Sequence, residues 1–143
     1  MEQYDSHMAQ RVWNRVWSEN TPAREELGHL WMCEVQLFAD YTKLLRRFPE
    51  IKPLLRDIRR HMACLRGIRY MTGGSVPAPI PAKPRTEKDE ITLQRCCAQC
   101  LKTGAAYDAQ SGDPEYGFCF ARMAEETRQH CRILLELIGN VDK

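Results

Sequence analysis

Two histidines, His61 and His130, sit where an amphipathic helix would turn its apolar side inward. Imidazoles placed on facing helices are suited to metal binding. A pair of metals in a helical bundle asks for more, namely a glutamate three residues before each histidine and a further glutamate on each remaining helix. Here the stretches read Ile58-Arg59-Arg60-His61 and Thr127-Arg128-Gln129-His130, so both of those positions lack a carboxylate. Two other coordinating side chains fall mid-length on apolar stripes, Glu34 and Cys100. Glu34, His61, Cys100 and His130 thus supply one oxygen, two nitrogens and a sulfur, a set suited to one tetrahedral zinc.

An ionised Glu34 in an apolar core is costly unless a cation, a histidine or a tyrosine meets it. It is equally accounted for by a hydrogen bond to His61 or His130 in a buried polar cluster, or by a place at the margin of its stripe. Glu126, four residues before His130, falls on a neighbouring face of its helix. Cys97-Ala98-Gln99-Cys100 is a Cys-x-x-Cys, but on a helical stripe buried cysteine serves first as a small apolar group. Gln99 and Cys100 compete for the position facing Glu34.

The elements that carry these residues are read from helical periodicity. Asp5 or Ser6 can cap a short amphipathic helix over 5–18 with Met8, Val12, Trp13 and Val16 on one side. Asn20-Thr21-Pro22 opens a long helix over 22–48, with Glu25 and Glu26 at the positive end of its dipole. Its stripe runs Leu27, Leu30, Trp31, Glu34, Leu37, Phe38, Tyr41, Leu44, Leu45 and Phe48. Pro49 and Pro53 bracket a turn into a second helix over 51–71, which Gly73-Gly74 ends. So short a turn makes these two helices antiparallel neighbours.

Residues 72–86 change character: Val76-Pro77-Ala78-Pro79-Ile80-Pro81-Ala82-Lys83-Pro84 reads as polyproline II, long enough to cross a bundle about 30 Å in length. Thr86 and Asp89 form a short-acid capping box for a third helix over 87–110. Asp113 as cap and Pro114 at the first helical position start a fourth over 114–138, closed by Gly139-Asn140. The expected fold is all-α: a four-helix bundle of two antiparallel hairpins, with a long proline-rich crossover and a short N-terminal helix, in one domain over 1–143.

Length and composition agree. A chain of 143 residues buries roughly two-thirds of its unfolded surface and needs no metal or disulfide to hold a core. A net charge of +2 leaves no nucleic-acid footprint. Seven cysteines, an odd number spread through helical stripes, read as reduced thiols of a cytoplasmic protein. No segment has the apolar run of a signal peptide or a membrane span. The basic run of Arg46, Arg47, Lys52, Arg56, Arg59, Arg60, Arg66 and Arg69 reads as a solvated face. Trp13, Trp17 and Trp31 suit either a homodimer contact or the seat of the first short helix.

The order of elements, the run Arg60-His61-Met62-Ala63-Cys64-Leu65-Arg66-Gly67-Ile68, and Asp113-Pro114-Glu115-Tyr116-Gly117 ahead of Glu125-Glu126-Thr127-Arg128-Gln129-His130-Cys131 resemble the rubrerythrin-type ferritin-like family. The likeness runs from about Met8 to Ile138. It implies a ferritin-like bundle and, by the family's pattern, two irons that react with peroxide or oxygen. Glu34 matches the family's first-helix glutamate, and His61 and His130 its two histidines. Ile58, Thr127 and Cys100 or Gln99 stand where its other glutamates belong, which removes the bridging carboxylates that hold two cations together.

The resulting expectation is a ferritin-like bundle with a degenerate di-iron site, a non-catalytic structural or interaction module that binds no cofactor and forms a homodimer with no nucleic acid or membrane partner. Its alternative is a metal-binding protein of the rubrerythrin-like oxidoreductase class, with an atypical iron site or one zinc held by Glu34, His61, Cys100 and His130. Whether the chain is an enzyme stays open between them.

Overall fold

A computed structural model describes residues 22–73, 82–83 and 85–141. They form four helices: α1 Pro22–Leu45, α2 Lys52–Met71, α3 Asp89–Gln110 and α4 Gly117–Val141, with a 3-10 turn at Pro49–Ile51. Among the described residues there is no strand, and no helix is long and apolar enough to cross a membrane. The expected helix over 5–18, with Trp13 and Trp17, lies outside the described residues, as does most of the polyproline run.

Several helix ends differ from those expected. α1 stops at Leu45 because Phe48 must be extended ahead of Pro49, and it is, at φ −122° and ψ 94°. α2 closes as expected, with Gly73 at φ 81° in the left-handed region that glycine enters freely. The capping box of Thr86 and Asp89 does not form. Lys88 precedes α3 without a side-chain cap, and Asp89 and Glu90 lie in the first turn, where the helix dipole favours acids.

Pro114 does not begin α4. Asp113 Oδ1 accepts the N–H groups of Glu115 and Tyr116 at 2.9 and 2.8 Å, holding a turn, and the helix starts at Gly117. A side chain at Gly117 would collide with the Ser111 carbonyl. At its far end α4 runs through Gly139 to Val141, because Ile138 and Val141 both pack on the core.

The core has two apolar layers with a polar one between them. One layer joins the C-terminal half of α1 (Leu37 to Leu44) to the start of α2 (Leu54 to Ile58), the start of α3 (Leu93 to Cys100) and the end of α4 (Cys131 to Leu137). The other joins the start of α1 (Leu27 to Val35) to the end of α2 (Leu65, Ile68), Tyr107 of α3 and the start of α4 (Phe120 to Ala124). Hence α1 and α4 run one way, α2 and α3 the other. α2 ends and α3 begins at opposite ends of the bundle, so the segment between them must travel its length.

The described part of that segment is fastened to α1. Lys83 O accepts from Gln36 at 3.2 Å, Arg85 N–H donates to Asp40 at 3.0 Å, and Glu87 O accepts from Lys43. Lys43 also donates to Thr92 at 3.0 Å, and Arg47 meets Glu90 at 2.8 Å, so the end of α1 is stitched to the beginning of α3. Asp40 is fully buried and shared between Gln36 and the Arg85 backbone.

Candidate functional site

The polar layer holds all four side chains singled out in the sequence. Glu34 on α1, His61 on α2, Cys100 on α3 and His130 on α4 are each 2% exposed or less. His61 Nδ1 lies 3.1 Å from Glu34 Oε2, and its Nε2 lies 3.3 Å from Glu126 Oε1. His130 Nε2 lies 2.9 Å from Asp57 Oδ2. The two imidazoles stack nearly parallel, 14° apart in plane, with ring centres 6.2 Å apart.

Two tyrosines frame the stack. Tyr41 and His130 meet edge to face, as do Tyr107 and His61, each at 6.0 Å between centres. The Tyr41 hydroxyl and the Cys100 thiol share a hydrogen bond of 3.1 Å. Outside the stack, Arg60 of α2 donates to Asp57 at 2.7 Å and also to Glu126. One half-exposed guanidinium therefore joins the two acids that hold the two histidines.

The histidines differ electrically. Burial disfavours the His61 cation, but the hydrogen bond and charge of Glu34, with Glu126 added, outweigh it and raise its pKa. Since the imidazole donates from both ring nitrogens only when it is protonated, the two carboxylates favour His61 as a cation. For His130, burial outweighs the help of Asp57, and the neighbouring His61 adds to the effect, so its pKa falls. Burial pushes the Cys100 thiol up to about 12, against the bond from Tyr41. Burial also raises Tyr41 and Tyr107 well above the ordinary phenol, with Cys100 acting further on the first and the Glu34 charge on the second.

Glu34 and His61 are thus in direct contact, His130 joins them by stacking, and Cys100 joins through Tyr41. Among the described residues no three His, Cys, Asp or Glu side chains converge as a ready cage for a metal ion. Cys100, not Gln99, faces the interior, because Gln99 is only half-buried and donates to Thr103 Oγ1 at 3.2 Å. Ile58 and Thr127, three residues before the histidines, are both buried, and the Thr127 hydroxyl bonds back to Met123 O at 2.7 Å. Three buried polar atoms of this layer have no hydrogen-bond partner: Glu34 Oε1, His130 Nδ1 and Tyr107 Oη.

Asp57, Glu126, Arg60 and the two tyrosines were not singled out from the sequence as members of this site. The signal was present as spacing. Asp57 lies four residues before His61 and Glu126 four before His130. Each acid serves the histidine of the opposite helix, so Glu126 belongs to the site despite its neighbouring face. Likewise Tyr41 follows Glu34 by seven residues and Tyr107 follows Cys100 by seven, two turns along one face. The two hairpins repeat one plan, in which α3 carries a thiol where α1 carries a carboxylate.

Comparison with protein-family models, with curated proteins and with solved structures finds no match for the chain.

Proposed function

We propose that this chain is a ferritin-like bundle of rubrerythrin type whose metal centre has given way to a hydrogen-bonded acid–histidine core, and that it works as a non-catalytic structural or interaction module. The observation that carries the reading is the engagement of both His61 ring nitrogens by carboxylates, at 3.1 and 3.3 Å. A ligating imidazole needs one nitrogen with its lone pair free, its other N–H being held by a second group. With acids at both nitrogens, the ring itself neutralises charge that a cation would otherwise balance. The helix directions and the long connection between α2 and α3 support the ferritin-like assignment.

The same reading places the protein in the cytoplasm as a homodimer, with its thiols reduced. Tyr70, Met71 and Phe118, all exposed at the end of the bundle where α2 finishes and α4 begins, offer a second copy an apolar surface. Light scattering at several concentrations tests it; a monomer throughout removes the dimer from the proposal.

A second reading, one bound metal, is favoured by a specific feature. His130 gives its Nε2 to Asp57 while its Nδ1 stays buried and unpartnered, the arrangement in which an outer carboxylate orients a ligating histidine. Glu34 Oε1 is also free, and Cys100 lies on the remaining helix. Such a set suits zinc better than iron, since bridging carboxylates are few.

Elemental analysis of the untagged protein for iron, manganese and zinc, after reconstitution under reducing conditions, decides between them. Absence of stoichiometric metal is the expected result. One zinc per chain that is lost in Cys100→Ala would establish the second reading, and two irons would overturn both in favour of an oxidoreductase.

A further inference from the structure

Cys97 of α3 and Cys131 of α4 face each other across the helix pair with their sulfurs 3.0 Å apart. Each sulfur also lies 3.9 Å from the other residue's carbonyl oxygen, so the two side chains meet at the same level and point at one another. Both are free thiols in this structure, 7% and 6% exposed. A disulfide requires a sulfur separation of about 2.05 Å. The missing distance is about 1 Å, within reach of small side-chain rotations. Neither sulfur is used by the histidine layer, and the Cys-x-x-Cys spacing does not pair Cys97 with Cys100, whose thiol is bonded to Tyr41.

We infer that Cys97 and Cys131 form a redox modification site: a two-electron oxidant of the hydroperoxide class converts the dithiol into a disulfide that joins α3 to α4. In the first step one sulfur attacks a peroxide oxygen, the O–O bond breaks, and a sulfenic acid and one water result with hydrogen peroxide as oxidant. In the second, the other sulfur attacks the sulfenic sulfur, its proton leaves with the displaced hydroxide as a second water, and the S–S bond forms. Two thiol protons and two electrons leave the protein, and the peroxide is reduced to two waters.

Burial, with the facing Cys131 thiol, pushes Cys97 up to about 12. Cys97 therefore rests as a thiol, and it oxidises more slowly than an exposed thiolate. The bond would clamp the helices beside the site already described, since Cys131 follows His130 and Cys97 lies one turn before Cys100. It would also close the whole α3–α4 turn into a loop, which restricts the unfolded chain. The inference is independent of whether the histidine layer holds a metal.

The test uses the reduced full-length chain treated with hydrogen peroxide and then alkylated. The expected product has lost two hydrogens and yields a tryptic link between residues 96–102 and 129–132, reversed by dithiothreitol, with a melting temperature higher by roughly 10 °C. Because residues 96–102 contain three cysteines, Cys96→Ser and Cys100→Ser should keep the link, whereas Cys97→Ser should lose it. The wild-type map stands even if a variant fails to fold. Separate alkylation of Cys97 and Cys131 after oxidation, or a link that survives in folded Cys97→Ser, would overturn the inference.

Discussion

His61 and His130 occupy corresponding places in α2 and α4, each four residues after an acid that bonds the other histidine, yet only His61 has a carboxylate at both ring nitrogens. The difference comes from the first member of each hairpin. α1 places Glu34 against His61, while α3 has Cys100, whose thiol turns to Tyr41 and leaves His130 Nδ1 with no partner. A single exchange of carboxylate for thiol in a repeated plan thus drives two stacked imidazoles apart, His61 toward the cation and His130 toward the neutral base. The positive charge is thus favoured on the ring that lies between acids and disfavoured on its stacked neighbour.

The comparison breaks most visibly by removing each ring in turn. His61→Leu strands the fully buried Glu34 without a partner, and breaking a buried ion pair from one side costs about 3–5 kcal/mol. His130→Leu strands only Asp57, whose side chain is 27% exposed and still bonded to Arg60, and the loss should be about 1–3 kcal/mol. Urea unfolding of the two variants measures both. Equal costs, or a larger one for His130, would mean that the two environments are not as different as the contacts make them.

Much of this was legible in the sequence, for reasons that the missed parts clarify. Helical periodicity placed Glu34, His61, Cys100 and His130 on inward stripes, and all four are buried. Periodicity ranks faces of one helix, however, and says nothing about which neighbouring helix a rim residue will meet. Asp57 and Glu126 sit at the rim of their stripes, and their roles exist only across the α2–α4 contact. Asp40 was hidden in the same way, because what satisfies it is the backbone of Arg85, 45 residues away in the connector. Tyr41 read as plain apolar bulk on its stripe until the stack gave its ring something to face. The cap residue Asp113 does bond the N–H groups that follow it, but what it holds is a turn, and α4 begins only at Gly117.

Acid and base should separate the two histidines more finely. The folded pKa of His61 lies above its unfolded value of 6.5, so its contribution to stability is fully present below 6.5 and is lost as pH rises through the folded value. The folded pKa of His130 lies below 6.5, so the unfolded chain binds the proton more readily and stability falls as pH drops from 6.5 through the folded value. Relative to wild type, His61→Leu should therefore be most damaging in acid and progressively less so above neutrality. The deficit of His130→Leu should shrink in acid. Urea midpoints measured across about pH 5 to 9 give both trends, and parallel curves for the two variants would remove the assignment of cation and neutral base.

The finest probe is Arg60, because it touches both halves at once. Its guanidinium is about half-exposed, so Arg60→Ala should cost no more than about 1 kcal/mol in stability. Its effect on the histidines should be clearer. Arg60 competes with His130 for Asp57 and with His61 for Glu126, and it adds a positive charge beside both rings. Removing it frees each acid to favour the imidazolium, and both histidine pKa values should rise in ring-proton NMR titrations. The larger rise is expected at His130, since Asp57 is its single hydrogen-bonding acid, whereas His61 keeps Glu34. A rise at one ring alone would show that the guanidinium serves one acid in solution, and the two histidines would then be separate sites, not halves of a shared one.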